Sequence, residues 1–443
     1  MYLFFLEFAM KKNLKSLITT IIFVSLSSFA FSNAYFTGFA GAKVNFGVQN
    51  SLLNPEKIDV KGNIEAYLSG QISITPNLLL RGEFSIKTDD LIDTSIFTTA
   101  NTSTADKFNS LFQIDELSLI YRRTLLDSTN YLSAFVGTYE PIGSDVLLRR
   151  QFGVKQVASR LMENWLGLST SVIYELFGIG ISDVIHFAKQ PMCVGLYGYV
   201  NQQSSTNWLN FDARYAGVYR FFTFDLAGGI GFPLRTSNQQ DAYLVIDTLH
   251  WRAGANILIG NAYTSSLFIQ GGVTEMPFSK RDTADGKYGD FLNAYFLVEP
   301  RIKTSKFQLH IGLFHMPAST AKNNMFIDSF NHINYKYAET ASFGANLDLF
   351  TDVLYIRNKT FVFGIDSSIT LPGVGLDTVL QGTFLQNSFG NMNFTIQSTP
   401  YLSTKFNNGD LKAALKVNIT KFYDGYQDYL GAFAFSIGYK SQI

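Results

Sequence analysis

Charged side chains recur in this sequence at alternate positions of otherwise apolar stretches. Glu65, Arg81 and Glu83, Glu116 and Arg122, Asp212 and Arg214, Arg252, Glu299 and Arg301, and Lys412 and Lys416 all fall on the polar phase of such stretches. Lys43, Lys87, Asp225, Lys303, Asp348, Asp366 and Lys405 follow the same rule. Both signs on one strand face call for water or for ion partners, because an unpaired charge in a dry interior is costly. The chemistry this pattern suggests is electrostatic: a water-lined passage whose wall charges select among solutes. Bases slightly outnumber acids on this phase, which predicts a mild anion preference. Mutual cancellation by neighbouring pairs is the alternative.

A second group, Asp145, Arg149, Arg150 and Lys155, lies where the alternation stops, in residues 141–170. Folded inward, these residues form an electrostatic constriction; folded outward, they are solvated loop charges. The five histidines, His186, His250, His310, His315 and His332, show no His-x-His or His-Glu-x-x-His spacing, so no metal is expected. No serine is marked as a nucleophile by a His partner and an orienting group, so neither catalysis nor a cofactor is expected. The single cysteine, Cys193, forms no internal disulfide and reads as a small apolar packing residue.

The elements that position these charges are strands. Residues 62–87 show it most clearly. Ile64, Ala66, Leu68, Gly70, Ile72 and Ile74 alternate with polar residues up to Thr75-Pro76-Asn77. Leu78, Leu80, Gly82, Phe84 and Ile86 then alternate with Arg81, Glu83, Ser85 and Lys87. A period of two is a strand with unlike faces, and two such strands across a Pro-Asn turn are a hairpin. Each runs about ten residues, enough to cross a membrane when tilted.

Composition agrees. The chain has 443 residues, is 47% hydrophobic and only 16% charged, against roughly 25% charged in ordinary soluble domains. Formal net charge is zero, so no basic footprint argues for nucleic acid. Lys11, Lys12 and Lys15 precede an apolar run over residues 17–31, and Ser32 and Ala34 place small residues before a cut after Ala34. Residues 1–34 therefore read as a secretion signal, with Met10, just before the basic region, as the expected start. Residues 35–443 read as one domain. No later apolar run has helical spanning length, so a closed barrel is the remaining way to hide the apolar residues in a bilayer.

Strands follow one another along the mature chain, with short connections such as residues 75–77, 304–306 and 407–409 alternating with long ones such as 88–111, 275–290, 317–340 and 371–390. Short periplasmic turns and long external loops give each strand a direction. Direction then requires one strand within residues 171–187 and makes residues 141–170 one large external loop, with a short helix over residues 154–165. The fold expected is all-β: a transmembrane antiparallel β-barrel of about 18 strands, range about 14 to 18.

This pattern resembles the bacterial outer-membrane β-barrels of porin type. The likeness covers the mature chain and is architectural. It includes a last strand in which Phe433, Phe435, Ile437 and Tyr439 alternate with Ala434, Ser436 and Lys440, although the chain ends at Ile443 rather than on an aromatic residue. The resemblance implies an outer-membrane location in a diderm bacterium, outer-membrane lipid and the barrel-insertion machinery as partners, and passive diffusion of small hydrophilic solutes. It also places the loop after Glu140 where porins often carry a constriction loop. Two alternatives stay open: a surface adhesin or structural barrel with binding loops, and a channel for hydrophobic substrates.

Overall fold

The computed structural model describes residues 35–50, 58–87, 112–125, 127–154, 173–203, 206–236, 242–244, 249–261, 264–277, 294–317, 341–356, 361–374, 381–382, 394–406, 408–422 and 432–442. The strands run β1 (Tyr35–Asn50), β2 (Ile58–Thr75), β3 (Leu78–Lys87), β4 (Phe112–Leu125), β5 (Ser128–Thr138), β6 (Phe177–Phe187) and β7 (Met192–Gln203). They continue as β8 (Thr206–Tyr219), β9 (Phe222–Thr236), the three-residue β10 (Ala242–Leu244), β11 (His250–Gly260), β12 (Ser265–Pro277) and β13 (Ala294–Lys303). The series closes with β14 (Phe307–Pro317), β15 (Ala341–Ile356), β16 (Phe361–Val374), β17 (Thr395–Phe406), β18 (Gly409–Asn418) and β19 (Phe433–Gln442).

Each long strand pairs antiparallel with the next, and β9 pairs with β11, while β10 only extends the end of β9. The ladder closes where β1 meets β19, from Phe39↔Gln442 to Gly47↔Ala434. Eighteen strands thus form a closed barrel, with β10 outside the count. Closure removes the open sheet edge that a bilayer would not tolerate. Among the described residues no helix is long and apolar enough to cross a membrane.

The period of two sorts the side chains. Leu68, Ile181, Leu196, Phe211 and Leu313 point outward and are exposed, whereas Glu65, Glu116, Ser118, Asp212 and Arg214 point inward and are buried. Apolar outside and polar inside is the reverse of a soluble barrel and fits a lipid surround. Exposed Tyr121, Tyr215, Tyr219, Phe222, Phe307, Tyr355 and Phe406 ring the end that carries the short turns, as interfacial aromatic girdles do.

The opening hairpin has the expected register, with Gln71 opposite Arg81 and Leu68 opposite Phe84. Residues 171–187 contain one strand, β6, as the direction rule requires. The described helix precedes the one expected over residues 154–165. It spans Val146–Phe152 (α1), ahead of residues 154–165. Val154 follows it as irregular chain, and residues 155–165 lie outside the described residues. Gly153 adopts the left-handed conformation (φ 68°) and donates its N–H to the Arg149 carbonyl, ending the helix there.

Candidate functional site: an inward-folded segment and the lumen wall

Beyond Thr138 the chain leaves the barrel wall and turns into the lumen. Gly137 and Gly178 face each other across β5 and β6, with φ of 101° and 153°. A Cβ on Gly137 would stand 2.4 Å from the Asp115 carbonyl oxygen, and one on Gly178 2.3 Å from that of Val200. Both the conformation and the space at this bend therefore require glycine. The ribbon continues past it: Tyr139 N–H donates to the Leu176 carbonyl (3.0 Å), Ile142 N–H to that of Tyr174 (3.0 Å), and Ile173 N–H to that of Ile142 (2.7 Å).

This segment packs into a large buried apolar cluster. Ile142, Leu147, Leu148, Ile173 and Leu176 meet Phe135, Tyr197, Tyr199, Leu258, Phe268 and Leu297 from the wall. Small wall residues make room, since a Cβ on Gly254 would lie 2.7 Å from Ile142. Burying a leucine such as Leu147 or Leu148 is worth about 1.5–3 kcal/mol, so α1 is held mainly by its apolar face. The Gly143 carbonyl accepts from Gln270 Nε2 (2.6 Å), whose amide is fixed by Asn256 and Tyr295.

Ionic contacts complete the attachment. Arg150 Nη2 donates to Glu116 Oε2 (2.5 Å) and Glu83 Oε1 (3.2 Å), and Nη1 lies 3.6 Å from Glu140. Burial alone would lower the Arg150 pKa, but Glu116, Glu83 and Glu140 outweigh it and hold the guanidinium firmly charged. Glu140 has φ 46°, unusual for a non-glycine residue. Three contacts keep it there: its carboxylate accepts from Tyr197 Oη (2.8 Å) and faces Arg150, and its carbonyl accepts from Arg214 Nη1 (2.6 Å).

The charges expected to line the lumen fall into two environments. Arg214 pairs with Asp225, and Arg252 Nη2 donates to Asp212 Oδ2 (2.6 Å) and to Tyr199 Oη (2.7 Å). These groups point inward but are covered; the Arg214, Asp225 and Asp212 side chains are at most 1% exposed. Their pairing anchors the packed interior. The inward segment, not strand parity, decides that cover. Arg301 likewise pairs with Glu299 (2.6 Å), which His310 Nδ1 also contacts (2.9 Å). Arg81 donates to Gln71 (3.0 Å) and lies 3.7 Å from Glu116.

On β16 and β18 the inward charges are less covered, whereas Lys43 on β1 and Glu65 on β2 are buried. Lys412 is 24% and Asp366 20% exposed; they approach to 3.4 Å, with the Lys412 ammonium 4.0 Å above the Tyr401 ring. Lys43 pairs in register with Glu65, and Lys416 is close enough to feel both of their charges. Arg122 sits at the short-turn end, exposed, with its N–H bonded to the Asn77 carbonyl. Asp145 is the residue before α1, and Arg149 is half-buried beside Glu83 without an ion pair among the described residues. Lys155 lies outside the described residues. Among the described residues no three His, Cys, Asp or Glu side chains gather as a metal site.

The sequence reading did not identify Glu140, Gln270, Tyr197, Asp225's partner role or Leu147 and Leu148 as parts of this site. Asp145 before an apolar run and Gly153 after it are the start and stop signals that would have found α1.

A closed antiparallel barrel of eighteen strands, apolar outside, ringed by aromatics at its short-turn end and carrying an inward-folded segment after β5, has the architecture of a transmembrane β-barrel. No known family profile matches the chain, and no curated protein matches it. Similar solved structures include the outer membrane protein OpdK from Pseudomonas aeruginosa, at 9% identity and a TM-score of 0.47, covering 93% of this chain and 99% of that one. Another is OpdK from the same organism with vanillate, at 11% identity and a TM-score of 0.45, covering 93% and 98%. A third is Salmonella typhi OmpF in complex with daunomycin, at 12% identity and a TM-score of 0.36, covering 93% and 97%. The fold is defined by the chain's own closed ladder rather than by these distant likenesses.

Proposed function

We propose that this protein is a passive outer-membrane channel for small hydrophilic solutes, narrowed by residues 139–154. The observation that carries this reading is the fixed inward fold of that segment against one side of the barrel, with partly exposed, charged side chains on the other. Solutes pass along the polar side, and wall charge together with the remaining width selects them. Lys43, Lys412, Lys416 and Arg149 favour anions, moderated by Glu65 and Asp366. Residues 1–34 direct export and are removed after Ala34, which N-terminal sequencing of the mature protein checks.

Purified, refolded protein in a planar bilayer tests the reading. Stepwise ohmic conductance is expected, with a reversal potential in a KCl gradient displaced modestly toward that of chloride. Absence of conductance across several salts and refolding conditions contradicts the channel. The adhesin alternative rests on residues 88–111 and 317–340, which lie outside the described residues apart from Pro317. The hydrophobic-substrate alternative needs apolar groups open to the lumen, whereas inward Phe135, Phe268 and Phe314 are buried in the packed cluster.

A further inference from the structure

Among the described residues, the strands' exterior carries one charged interruption. Among the described side chains of the strands, Arg123 on β4 and Asp183 on β6 are the only Asp, Glu, Lys or Arg residues on the outward face. Asp183 pairs in register with Leu132 and Leu196, both outward and exposed, while its neighbours Ser182 and Val184 are buried inside. Arg123 is exposed and pairs with Asn130 on β5. The patch is thus a base, an amide and an acid on three consecutive strands. Asp183 Oδ1 is covered by protein and has no hydrogen-bond partner among the described residues, so the carboxylate's other oxygen is the one that can face outward.

Its depth is informative. Leu132 links Tyr121 and Asp183 in one row of the ladder, and Tyr121 belongs to the aromatic ring at the short-turn end. Such rings sit at headgroup level, and short turns mark the periplasmic side. Arg123 and Asp183 flank β5 two residues out of row, opposite Asn130 and Leu132, so their backbones stand roughly 12 Å apart. The Arg123 side chain is long enough to reach across part of that gap. A group carrying a phosphate and an ammonium a few ångströms apart matches what remains, phosphate toward Arg123 and ammonium toward Asp183.

We propose that Arg123, Asn130 and Asp183 form a site on the barrel exterior for the headgroup of a zwitterionic, amine-bearing phospholipid of the periplasmic leaflet. The acyl chains of that lipid lie along the apolar exterior above, over Ala134 and Ile181. A phospholipid without the amine satisfies Arg123 but leaves Asp183 unmatched. A second copy of this chain, placing its Arg123 on the partner's Asp183, is the competing occupant.

Native mass spectrometry of the full folded chain in non-ionic detergent distinguishes these cases. Phosphatidylethanolamine or phosphatidylglycerol is added in separate runs to the wild type, Asp183→Asn and Arg123→Gln. Heat-dependent gel migration confirms that each variant is folded. The wild type is expected to retain one phosphatidylethanolamine at severalfold higher occupancy than phosphatidylglycerol. Asp183→Asn lowers the first to the level of the second, and Arg123→Gln lowers both. Equal retention of the two lipids by the wild type, or unchanged selectivity in Asp183→Asn, overturns the proposal. So does a dimer that Asp183→Asn dissolves.

Discussion

The two sides of the barrel interior carry the same alternating pattern and yet are physically unlike. Around β5 to β13 the inward side chains meet residues 139–154 and 173–176, and their charges are buried in pairs such as Arg214 with Asp225. On β16 and β18 the inward pair Lys412 and Asp366 retains partial exposure. The difference teaches that strand parity decides whether a residue points inward, while a segment distant in sequence decides whether it meets water. The first side is expected to govern stability and pore width, the second to govern selectivity.

That division can be broken or sharpened by substitution. The largest effect is expected from Arg150→Ala. It leaves Glu83, Glu116 and Glu140 buried without their shared guanidinium, and breaking a buried ion pair from one side costs about 3–5 kcal/mol. Melting temperature should fall, and the loosened segment should make single-channel currents larger or noisier. A variant with unchanged melting and current would deny Arg150 its anchoring role. Leu148→Ala, which opens a cavity in the apolar cluster, should cost about 2–5 kcal/mol in denaturant titration without altering ion selectivity.

A third test contrasts the inside with the outside. A charge at Leu68, exposed toward lipid, should hinder insertion by about 2–4 kcal/mol if it lies near the midplane. The same charge at inward Ser69, whose hydroxyl donates to Glu83 (3.2 Å), should be tolerated better and shift selectivity. Equal behaviour of Leu68→Lys and Ser69→Lys in refolding yield would contradict the face assignment. The smallest effect on stability is expected from Lys412→Gln. Partly exposed ion pairs are worth about 0–1 kcal/mol, so melting should hardly move while the reversal potential shifts away from anion preference.

Much of the barrel was legible in the sequence because strand faces are a local property. Ile64 to Ile86 announce two faces without reference to any other part of the chain, and the alternation of short and long connections then constrains the count. The interior site was only partly legible. Asp212 and Arg214 were correctly read as inward-pointing, but their cover comes from a segment some seventy residues earlier, a contact between distant parts of the chain that no periodicity encodes. The bend at Gly137 and Gly178 depends on a register between β5 and β6 that the sequence does not print. The helix Val146–Phe152 was missed although Asp145 before it and Gly153 after it mark its ends, because the apolar spacing pointed instead to residues 154–165, which lie outside the described residues apart from Val154.

The most direct test of the divided interior is thiol accessibility during conductance. Cys193 is buried and is the only cysteine, so Cys193→Ala supplies a background without a reactive thiol. Within it, Lys412→Cys and Leu148→Cys are exposed to a charged, water-soluble thiol reagent while single channels are recorded. Modification of Lys412→Cys should proceed readily and step the current down, with Leu148→Cys unmodified under the same conditions. Ready modification of Leu148→Cys, or a silent Lys412→Cys, would contradict the account of one packed side and one water-filled side.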